Sequence, residues 1–598
     1  MKRNYIGLAC TGHDNAIAIV NSEGKVVFAE ATERHHQNKR AINTPPDDMI
    51  RIEEIIQEYC DDDAELVIAK TWSEHHLTIF KEETRLAQLR HAKYSQNEET
   101  QFLSENANIY DYVMSFVSNN VENSGKHLKF RCDTSIPHNT IFKHYDHHLT
   151  HAATGCYTSP FSEAVCVVVD GFGEGSSTAI YQYKDNQLER IHINKMQGNI
   201  EKSLGVFYGT LCGLCGFDIW RGEEWKVMGL APYGKFNQDI YDLMQQRFQV
   251  KNFDFICPDS GNEALTDLLS HARKPTQDAL FIADLAHTGQ QFFCDKLTEL
   301  LENVHDLSLS KNLVLSGGCA LNSAYNGKIL ALTNFENLHV YSAPGDDGNA
   351  LGAALLAFND DQPNRIQPSL QTPYLGSNIK EETLDNIKAF SQLPYIQTNS
   401  TNIIKIAAKM LSEQKIIGWV QGNAEFGPRA LGNRSILADP SSPLMKDKIN
   451  SRVKFREEFR PFAPSILHNH GDQYFHNYQD SPYMERTLAF RKTVTKRVPA
   501  VVHIDGTGRL QSVRKDWNPK YHALIEEFFE LTGIPLLLNT SFNVMGKPII
   551  HSAEDALTVF HTSGLDAIFI ENTIFIKGSS YHQEILDSVA ERNVELSQ

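Results

Sequence analysis

Residues 312–358 read NLVLSGGCALNSAYNGKILALTNFENLHVYSAPGDDGNALGAALLAF, and they contain the clearest signals of the fold class. Its first apolar run, NLVLS, predicts a buried strand, and glycines follow it at once. A second apolar run ends in the acidic turn GDDG, after which NALGAALLAF has the composition of a helix. Units of a strand, a Gly/Asp turn and a helix therefore recur, which predicts an α/β architecture.

The same pattern occurs nearer the N-terminus. Residues 164–183, AVCVVVDGFGEGSSTAIYQY, form an apolar run that ends in an aspartate, a glycine-rich turn and a second strand. Residues 4–30 read as a hairpin with the apolar runs YIGLAC, AIAIV and VVFAEA. Residues 47–130 and 276–305 contain few glycines and are predicted to be helical.

The length of 598 residues requires more than one hydrophobic core. Residues 359–378 are rich in proline and polar side chains, so we place the boundary there, between domain 1–365 and domain 366–598. Residues 399–413 read as a helix, and strands are predicted at 415–420 and from 535 onward, so the second domain is also α/β.

Composition restricts the partners and the compartment. The formal net charge of -18 disfavours nucleic acid and anionic membranes as partners. No apolar run is long enough to cross a bilayer, so the chain is expected to be soluble and cytoplasmic. The ten cysteines are expected to be reduced, and the lone CxxC of Cys212 and Cys215 is interpreted as a small buried turn.

Two histidines suggest a metal site. His147 and His151 in HYDHHLTHA are four residues apart, which places both imidazoles on one face of a helix. Asp170 and Asp346, with Asp347 as an alternative, are carboxylates at strand ends that could complete the coordination. Surface or capping histidines remain the alternative interpretation.

Three turns in the first domain follow apolar strands and contain Gly or Asp. Their backbone N–H groups could bind phosphate, as the phosphate and adenosine loops of the actin-like ATPase fold do. Ordinary tight turns are the alternative. The candidate nucleotide-binding residues are Gly171, Gly173, Gly317, Gly318 and Asn322.

Basic residues are concentrated in the second domain, in QGNAEFGPRALGNRSILADP and INSRVKFREEFRPFAPSI. Aromatic residues and prolines are interleaved with them, which favours a walled pocket over a solvated basic face, and guanidinium groups match phosphate oxygens. The segments HIDGTGRLQSV and LLLNTSFNVMGKPI could complete this pocket. The predicted ligands of a phosphate-bearing small molecule are Arg429, Arg434, Lys454, Arg456, Arg460, Arg509, Asn539, Thr540, Ser541 and Asn543.

A series of segments along the chain resembles the O-carbamoyltransferase family of nodulation and antibiotic-tailoring enzymes, such as the tobramycin and cephalosporin O-carbamoyltransferases. These segments are GHDNAIAIV, HHLTHA, VDGFGEGSS, KVMGLAPYGK, GGCALN, GDDGNALGAA, GNAEFGPRALGNRSILADP, FRPFAPSI, HIDGTGRLQSV and NTSFNVMGKPI. The resemblance implies an actin-like ATPase (ASKHA, Kae1-like) domain followed by a YrdC-like α/β domain. It implies that carbamoyl phosphate and ATP, with Mg²⁺, form carbamoyl adenylate in the second domain.

The resemblance also implies roles for single residues of the first domain. His147, His151, Asp170 and Asp346 match the family's metal positions, where Fe²⁺ or another divalent cation is expected. His13 would accept the proton of the acceptor hydroxyl, and Lys226 would lie beside the nucleotide.

The identity of the acceptor is not fixed by the sequence. The resemblance implies a hydroxylated small molecule, and residues 31–47, which should lie near it, depart from the family pattern. A homodimer is left open. Two other functions also remain open, a tRNA threonylcarbamoyl-type modification enzyme and an actin-like ATPase or sugar kinase.

Overall fold

The chain divides into two compact units, residues 1–371 and residues 372–598. A computed structural model describes residues 2–94, 115–136, 138–258, 261–363 and 365–577. The units meet between residues 371 and 372. The functional division into domains 1–365 and 366–598 stays a prediction. Each unit contains its own sheets and its own hydrophobic core.

The first unit begins with a five-stranded sheet of order β3-β2-β1-β4-β5. Its strands are β1 Arg3–Ala9, β2 Ala16–Val20, β3 Val26–Ala31, β4 Glu65–Thr71 and β5 Thr140–Tyr145. The first three strands form an antiparallel meander, whereas β4 and β5 continue the sheet in parallel, with Leu8 opposite Lys70. Strands β1, β2 and β4 are buried almost throughout, which explains their continuous apolar runs.

A second sheet of the first unit has the same topology. Its strands are β6 Glu163–Gly173, β7 Ser176–Lys184, β8 Gln187–Ile193, β11 Asn312–Ser316 and β12 Asn337–His339, and β9 Gln249–Lys251 and β10 Asp254–Ile256 form a separate hairpin. The sheet order is β12-β11-β6-β7-β8, again with an antiparallel meander and two added parallel strands. Two α/β halves of this topology form the actin-like fold, so the expected fold class is confirmed.

Helices cover both sheets of the first unit. They are α1 Thr32–His36, α2 Arg51–Tyr59, α3 His76–Tyr94, α4 Lys126–Thr134, α5 His147–Tyr157, α6 Leu204–Leu214, α7 Glu224–Leu230, α8 Gln238–Arg247, α9 Gly261–Ser270, α10 Ala283–His305, α11 Ser323–Asn326, α12 Ile329–Leu332 and α13 Asn349–Asp361, together with a helical stretch over residues 115–123. Helix α13 packs on β1 and α5 at very short range. A Cβ at Gly7 would lie 1.7 Å from the Ala350 carbonyl oxygen, and one at Gly352 would lie 2.0 Å from that of Thr150.

The second unit is built on one nine-stranded mixed sheet of order β13-β21-β20-β14-β15-β19-β16-β18-β17. Its strands are β13 Tyr395–Gln397, β14 Ile417–Val420, β15 Arg434–Ala438, β16 Ala463–Leu467, β17 Arg486–Ala489, β18 Thr507–Val513, β19 Leu536–Ser541, β20 Ala567–Ile570 and β21 Thr573–Ile576. The helices are α14 Glu381–Phe390, α15 Ser400–Ser412, α16 Met445–Ile449, α17 Gly471–Tyr474, α18 Pro519–Thr532 and α19 Ala553–Thr562. Buried Trp419, Phe528 and Phe569 belong to its core.

One secondary-structure prediction is wrong. Residues 47–130 were expected to be helical, but Glu65–Thr71 form β4, which pairs in parallel with both β1 and β5. The seven-residue run ELVIAKT lies among Glu- and Gln-rich helices, which hides its strand character, and the tertiary context decides it. Part of that predicted helical region, residues 95–114, lies outside the described residues. None of the helices that the structure describes is long and apolar enough to cross a membrane.

Candidate functional site

Four predicted metal ligands converge in the first unit. His147 and His151 lie on successive turns of α5, Asp170 lies in β6 where its apolar run ends, and Asp346 opens the turn before α13. Their potential ligand atoms all lie within 4.8 Å of one another. His147 Nε2 is 3.2 Å from Asp170 Oδ2, and His151 Nε2 is 3.3 Å from Asp346 Oδ1. The fold therefore brings together two histidines and two carboxylates. We call these four residues, His147, His151, Asp170 and Asp346, the metal-type group.

The environment of this group fits a divalent cation. Burial alone would lower the pKa of His147, but hydrogen bonding to Asp170 and the charge of Asp346 raise it to about 9. Burial would raise the pKa of Asp170, yet His147 and His151 hold it well below its usual range. Two carboxylates and two imidazoles are ligands that Fe²⁺, Zn²⁺ or a similar divalent cation binds, and the cation would supply positive charge to the carboxylates. Within the described residues, the Nδ1 atoms of both imidazoles are buried without a hydrogen-bond partner.

His13 lies at the edge of the metal-type group, in the turn between β1 and β2. Its Nδ1 is 3.6 Å from Asp346 Oδ2 and 2.9 Å from Asp14 Oδ2. Arg40 contacts both partners of this pair, because its Nη2 is 2.9 Å from His13 Nδ1 and donates to Asp14 Oδ2 at 2.9 Å. Arg40 also donates to the Ile219 carbonyl at 2.8 Å and thereby fixes the divergent segment 31–47 beside His13.

The predicted nucleotide-binding residues of the first unit differ in their contacts. Gly318 N–H donates to Asp170 Oδ1 at 2.9 Å, and a Cβ at Gly173 would lie 2.1 Å from the His147 ring, so both glycines support the metal-type group. Asn322 caps α11 and exchanges hydrogen bonds with Gln290. Gly171 has open space around its Cβ position, whereas Gly317 has a φ of 90° and packs against Val169. Their binding of a nucleotide stays a prediction.

Lys226, the other predicted catalytic residue, is buried in α7. Its Nζ is 2.8 Å from Glu223 Oε1 and lies 5.3 Å from the centre of the Phe217 ring. The ion pair holds the ammonium group in place. The role of Lys226 beside a nucleotide stays a prediction.

The second unit contains a cluster of basic side chains, which we call the basic cluster. It consists of Arg429, Lys446, Lys454, Arg456, Arg460 and Arg509. They come from the glycine-rich loop before β15, from α16 and the π-helical turn Asn450–Lys454 that follows it, from the loop before β16, and from β18. Segments that are far apart in sequence therefore place like charges together.

The cations of the basic cluster are buried and lower one another's pKa. Burial, followed by the charges of Arg429 and Arg456, lowers the pKa of Arg509 well below its usual range. Burial lowers the pKa of Arg429 to about 10. Lys454 likewise has its pKa lowered by burial and then by Arg456 and Arg460. Like charges that destabilise one another in a sheltered site indicate a polyanionic ligand, because such a ligand would supply the missing negative charge.

Individual contacts of the protein orient two of these cations, Lys454 and Arg456. Lys454 Nζ donates to Asn543 Oδ1 at 2.7 Å and to the carbonyl of Ser541, which ties it to the loop after β19. Arg456 stacks on Phe462 at 4.5 Å and donates to Asn450. Arg509 Nε is buried and has no hydrogen-bond partner in the described part of the chain.

Two residues predicted as ligands of the phosphates are used by the fold itself. Arg434 is fully buried in β15, and its guanidinium donates to the carbonyls of Gln421, Gly422, Asn433 and Ser377. Asn539, also buried, donates to Ala430 and Ser465. Both side chains hold the loop that carries Arg429, and their role as ligands stays a prediction. Thr540 is half-buried in β19 beside Ser541, and its ligand role stays a prediction.

Three residues of these sites were not predicted from the sequence. Arg40 lies in the divergent segment 31–47, and Lys446 lies between the two basic segments, outside both. His503 opens the segment HIDGTGRLQSV, of which only Arg509 was selected. A histidine two residues before an Asp and four before a Thr is a signal for a side-chain hydrogen-bond chain, which could have identified it.

Comparisons with known proteins cover both units. Residues 4–355 match the family model described as "Carbamoyltransferase N-terminus", and residues 408–577 match "Carbamoyltransferase C-terminus". "Nodulation protein NolO" of Bradyrhizobium diazoefficiens is 33% identical over 71% of this chain and 77% of its own length. "Uncharacterized protein MJ1058" of Methanocaldococcus jannaschii is 34% identical over 74% of each chain.

A solved structure titled "full-length HypF in the phosphate- and nucleotide-bound form" is 13% identical to the chain, with a TM-score of 0.34. The alignment covers 60% of this chain and 56% of that one.

Proposed function

Because this chain belongs to the carbamoyltransferase family and is a carbamoyltransferase, we propose that it is an ATP-dependent O-carbamoyltransferase that works through carbamoyl adenylate. The acceptor would be a hydroxyl of a small-molecule natural product. The observation that carries this proposal is the basic cluster, whose buried cations lower one another's pKa and fit carbamoyl phosphate and the phosphates of ATP.

The first half-reaction would take place in the second unit. Carbamoyl phosphate and water would give carbamate and phosphate, and a carbamate oxygen would then attack the α-phosphate of ATP. The bond between the α- and β-phosphates would break, and pyrophosphate would leave. Arg429, Arg456 and Arg509 would neutralise the negative charge that accumulates on these phosphates. Lys454, Ser541 and Asn543 would orient them, and Mg²⁺ would accompany ATP.

The second half-reaction would take place in the first unit. A cation held by His147, His151, Asp170 and Asp346 would polarise the carbamoyl carbonyl. His13, at the edge of that group, would accept the proton of the acceptor hydroxyl as its oxygen attacks the carbamoyl carbon. The bond from that carbon to the phosphate oxygen would break, AMP would leave, and Lys226 would offset its charge. Arg40 would hold His13 and Asp14 in position.

The metal of the first unit would be iron. The glycine-rich turns of that unit would contact the nucleotide, and the protein would act in the cytoplasm. The protein would act as a monomer or a homodimer, without nucleic acid.

The test is a product analysis of the purified protein with ATP, carbamoyl phosphate, Mg²⁺, Fe²⁺ and a panel of hydroxylated small molecules. We expect AMP and a carbamoylated acceptor in equal amounts, with the acceptor nitrogen atoms unmodified. Formation of ADP and a phosphorylated acceptor would instead contradict the proposal and indicate a kinase.

A further inference from the structure

The turn that joins β6 to β7 contains a glutamate where such a turn favours other residues. Glu174 and Gly175 are the two residues between the paired Gly173 and Ser176, and their φ angles are 48° and 77°. A two-residue hairpin turn with two positive φ angles favours Asn or Asp followed by Gly. A glutamate in the left-handed region costs conformational energy. Its presence indicates that the side chain serves a purpose beyond the turn.

The Glu174 carboxylate joins three elements of the first unit. Oε1 accepts the backbone N–H of His147, the first residue of α5, at 3.1 Å. The same oxygen accepts the backbone N–H of Ser73 at 2.8 Å, and Oε2 accepts the Ser73 hydroxyl at 2.5 Å. Ser73 lies just after the end of β4. One side chain therefore connects the strand that carries Asp170 with β4 and with the helix that carries His147 and His151.

A second left-handed residue lies next to this contact. Trp72, between β4 and Ser73, is buried and has a φ of 73°, which bulky residues rarely adopt. The centre of its ring lies 4.8 Å from that of His147 and 5.1 Å from that of Phe80. Residues in this region persist only where the surrounding contacts hold them, and they cluster at functional sites. The two left-handed residues both contact His147.

The position of His147 depends on the first turn of α5. The backbone N–H groups of a first helical turn have no acceptor within the helix, so other groups must supply one. Glu174 does so for His147, and Asp146 does so for Leu149. The Thr150 hydroxyl donates to the His147 carbonyl at 2.7 Å. Loss of the Glu174 contact would leave the His147 backbone N–H without its acceptor and its imidazole less firmly placed.

We infer that Glu174 is a positioning residue of the metal-type group, which holds His147 against Asp170 and thereby strengthens the binding of a divalent cation. The inference rests on the proposed function, because the cation is part of that proposal. Glu174 is not one of the four residues of the group, so it acts through His147. Residues that orient metal ligands in this way typically contribute about tenfold to a hundredfold in metal affinity.

The test measures metal binding by the full-length protein and does not depend on catalysis. The chain is treated with a chelator and titrated with Co²⁺, and the Kd is obtained from the visible absorption of the bound ion. Indole emission is a second readout, because Co²⁺ quenches nearby indoles and the Trp72 ring lies against His147. Trp72→Phe should lose this quenching, which identifies the metal-type group as the site that Co²⁺ occupies.

We expect Glu174→Ala to raise the Kd of Co²⁺ by about tenfold to a hundredfold. Glu174→Gln keeps an acceptor oxygen for His147 N–H but has no charge, so it should bind Co²⁺ nearly as the wild type does. Ser73→Ala removes one of the three hydrogen bonds of Glu174 and should raise the Kd by about threefold to tenfold. It provides the same test if Glu174→Ala does not fold.

Asp47→Ala is the matched control. Asp47 is a buried carboxylate of the same unit, and its Oδ2 accepts the backbone N–H of Leu128 in α4 at 3.0 Å. Its removal should lower the melting temperature of the first unit and leave the Kd of Co²⁺ unchanged. A change of the Kd in Glu174→Ala but not in Asp47→Ala therefore reports on the metal-type group and not on general stability.

Three results would overturn the inference. One is an unchanged Kd in Glu174→Ala or, if that variant does not fold, in Ser73→Ala. Another is a Kd in Glu174→Gln as weak as in Glu174→Ala, because Glu174 would then act through its charge and not by positioning. The third is a wild-type protein that binds no Co²⁺ beside Trp72, which would also overturn the proposed metal. The first two leave the proposed function intact.

Discussion

Arg429→Met should stabilise the ligand-free protein while it abolishes adenylate formation. Burial lowers the pKa of Arg429 to about 10, which corresponds to a cost of about 3 kcal/mol for the charged side chain relative to an exposed arginine. The side chain remains partly exposed to water, which reduces the cost, so we expect a gain of about 1 to 3 kcal/mol from its removal. At pH 7 Arg429 is charged in both the folded and the unfolded state. The penalty is therefore fully present there and is relieved only as the pH rises through about 10.

The assay compares thermal unfolding of the wild type and Arg429→Met, each with and without carbamoyl phosphate. A gain of about 2 kcal/mol should raise the melting temperature of the second unit by about 5 °C without ligand. Carbamoyl phosphate at a hundred times its Kd should stabilise the wild type by about 2.7 kcal/mol and the variant far less. Arg452→Met, which removes a 45% exposed arginine of the same stretch, is the control and should leave both melting curves unchanged.

A lower melting temperature of Arg429→Met without ligand, together with pyrophosphate release at the wild-type rate, would contradict this prediction. That combination would mean that Arg429 stabilises the fold and has no ligand to bind.

Three further predictions concern the first unit. His13→Ala should leave carbamoyl-phosphate-dependent pyrophosphate release intact and abolish the carbamoylated product, as quantified by mass spectrometry; loss of pyrophosphate release would contradict the division between the units. His151→Ala should lower the bound iron or zinc, measured by elemental analysis, by at least about tenfold, because one of the four proposed ligands is lost; an unchanged metal content would place the metal elsewhere. Gly352→Ala should destabilise the first unit by about 3 kcal/mol, because the added Cβ would lie 2.0 Å from the Thr150 carbonyl oxygen in α5. A melting curve identical to that of the wild type would refute this.

Much of the first unit can be predicted from local sequence because its signals are local. The runs YIGLAC, AIAIV and VVFAEA correspond to β1, β2 and β3, and the helix after GDDG is α13. The spacing of His147 and His151 predicts their shared helical face without knowledge of the fold. The duplication of the two sheets, by contrast, is a matter of strand order and pairing, which no fixed-period sequence repeat reveals.

The second unit shows where prediction from sequence ends. The sequence marks Arg429, Arg434 and Arg456 as equally suitable anion ligands, because they share one side-chain type and one stretch. Only the three-dimensional contacts show that the Arg434 guanidinium donates to four backbone carbonyls of the protein. His503 is far from these arginines in the sequence, so its proximity to them depends on the pairing of β18 with β16. The choice between support and ligand is thus made by tertiary packing, which residue types do not encode.

The decisive experiment for carbamoyl adenylate formation is pyrophosphate release from ATP by the purified protein, with and without carbamoyl phosphate and with no acceptor added. We expect pyrophosphate only when carbamoyl phosphate is present. Release of ADP, or no product in the presence of carbamoyl phosphate, would contradict it.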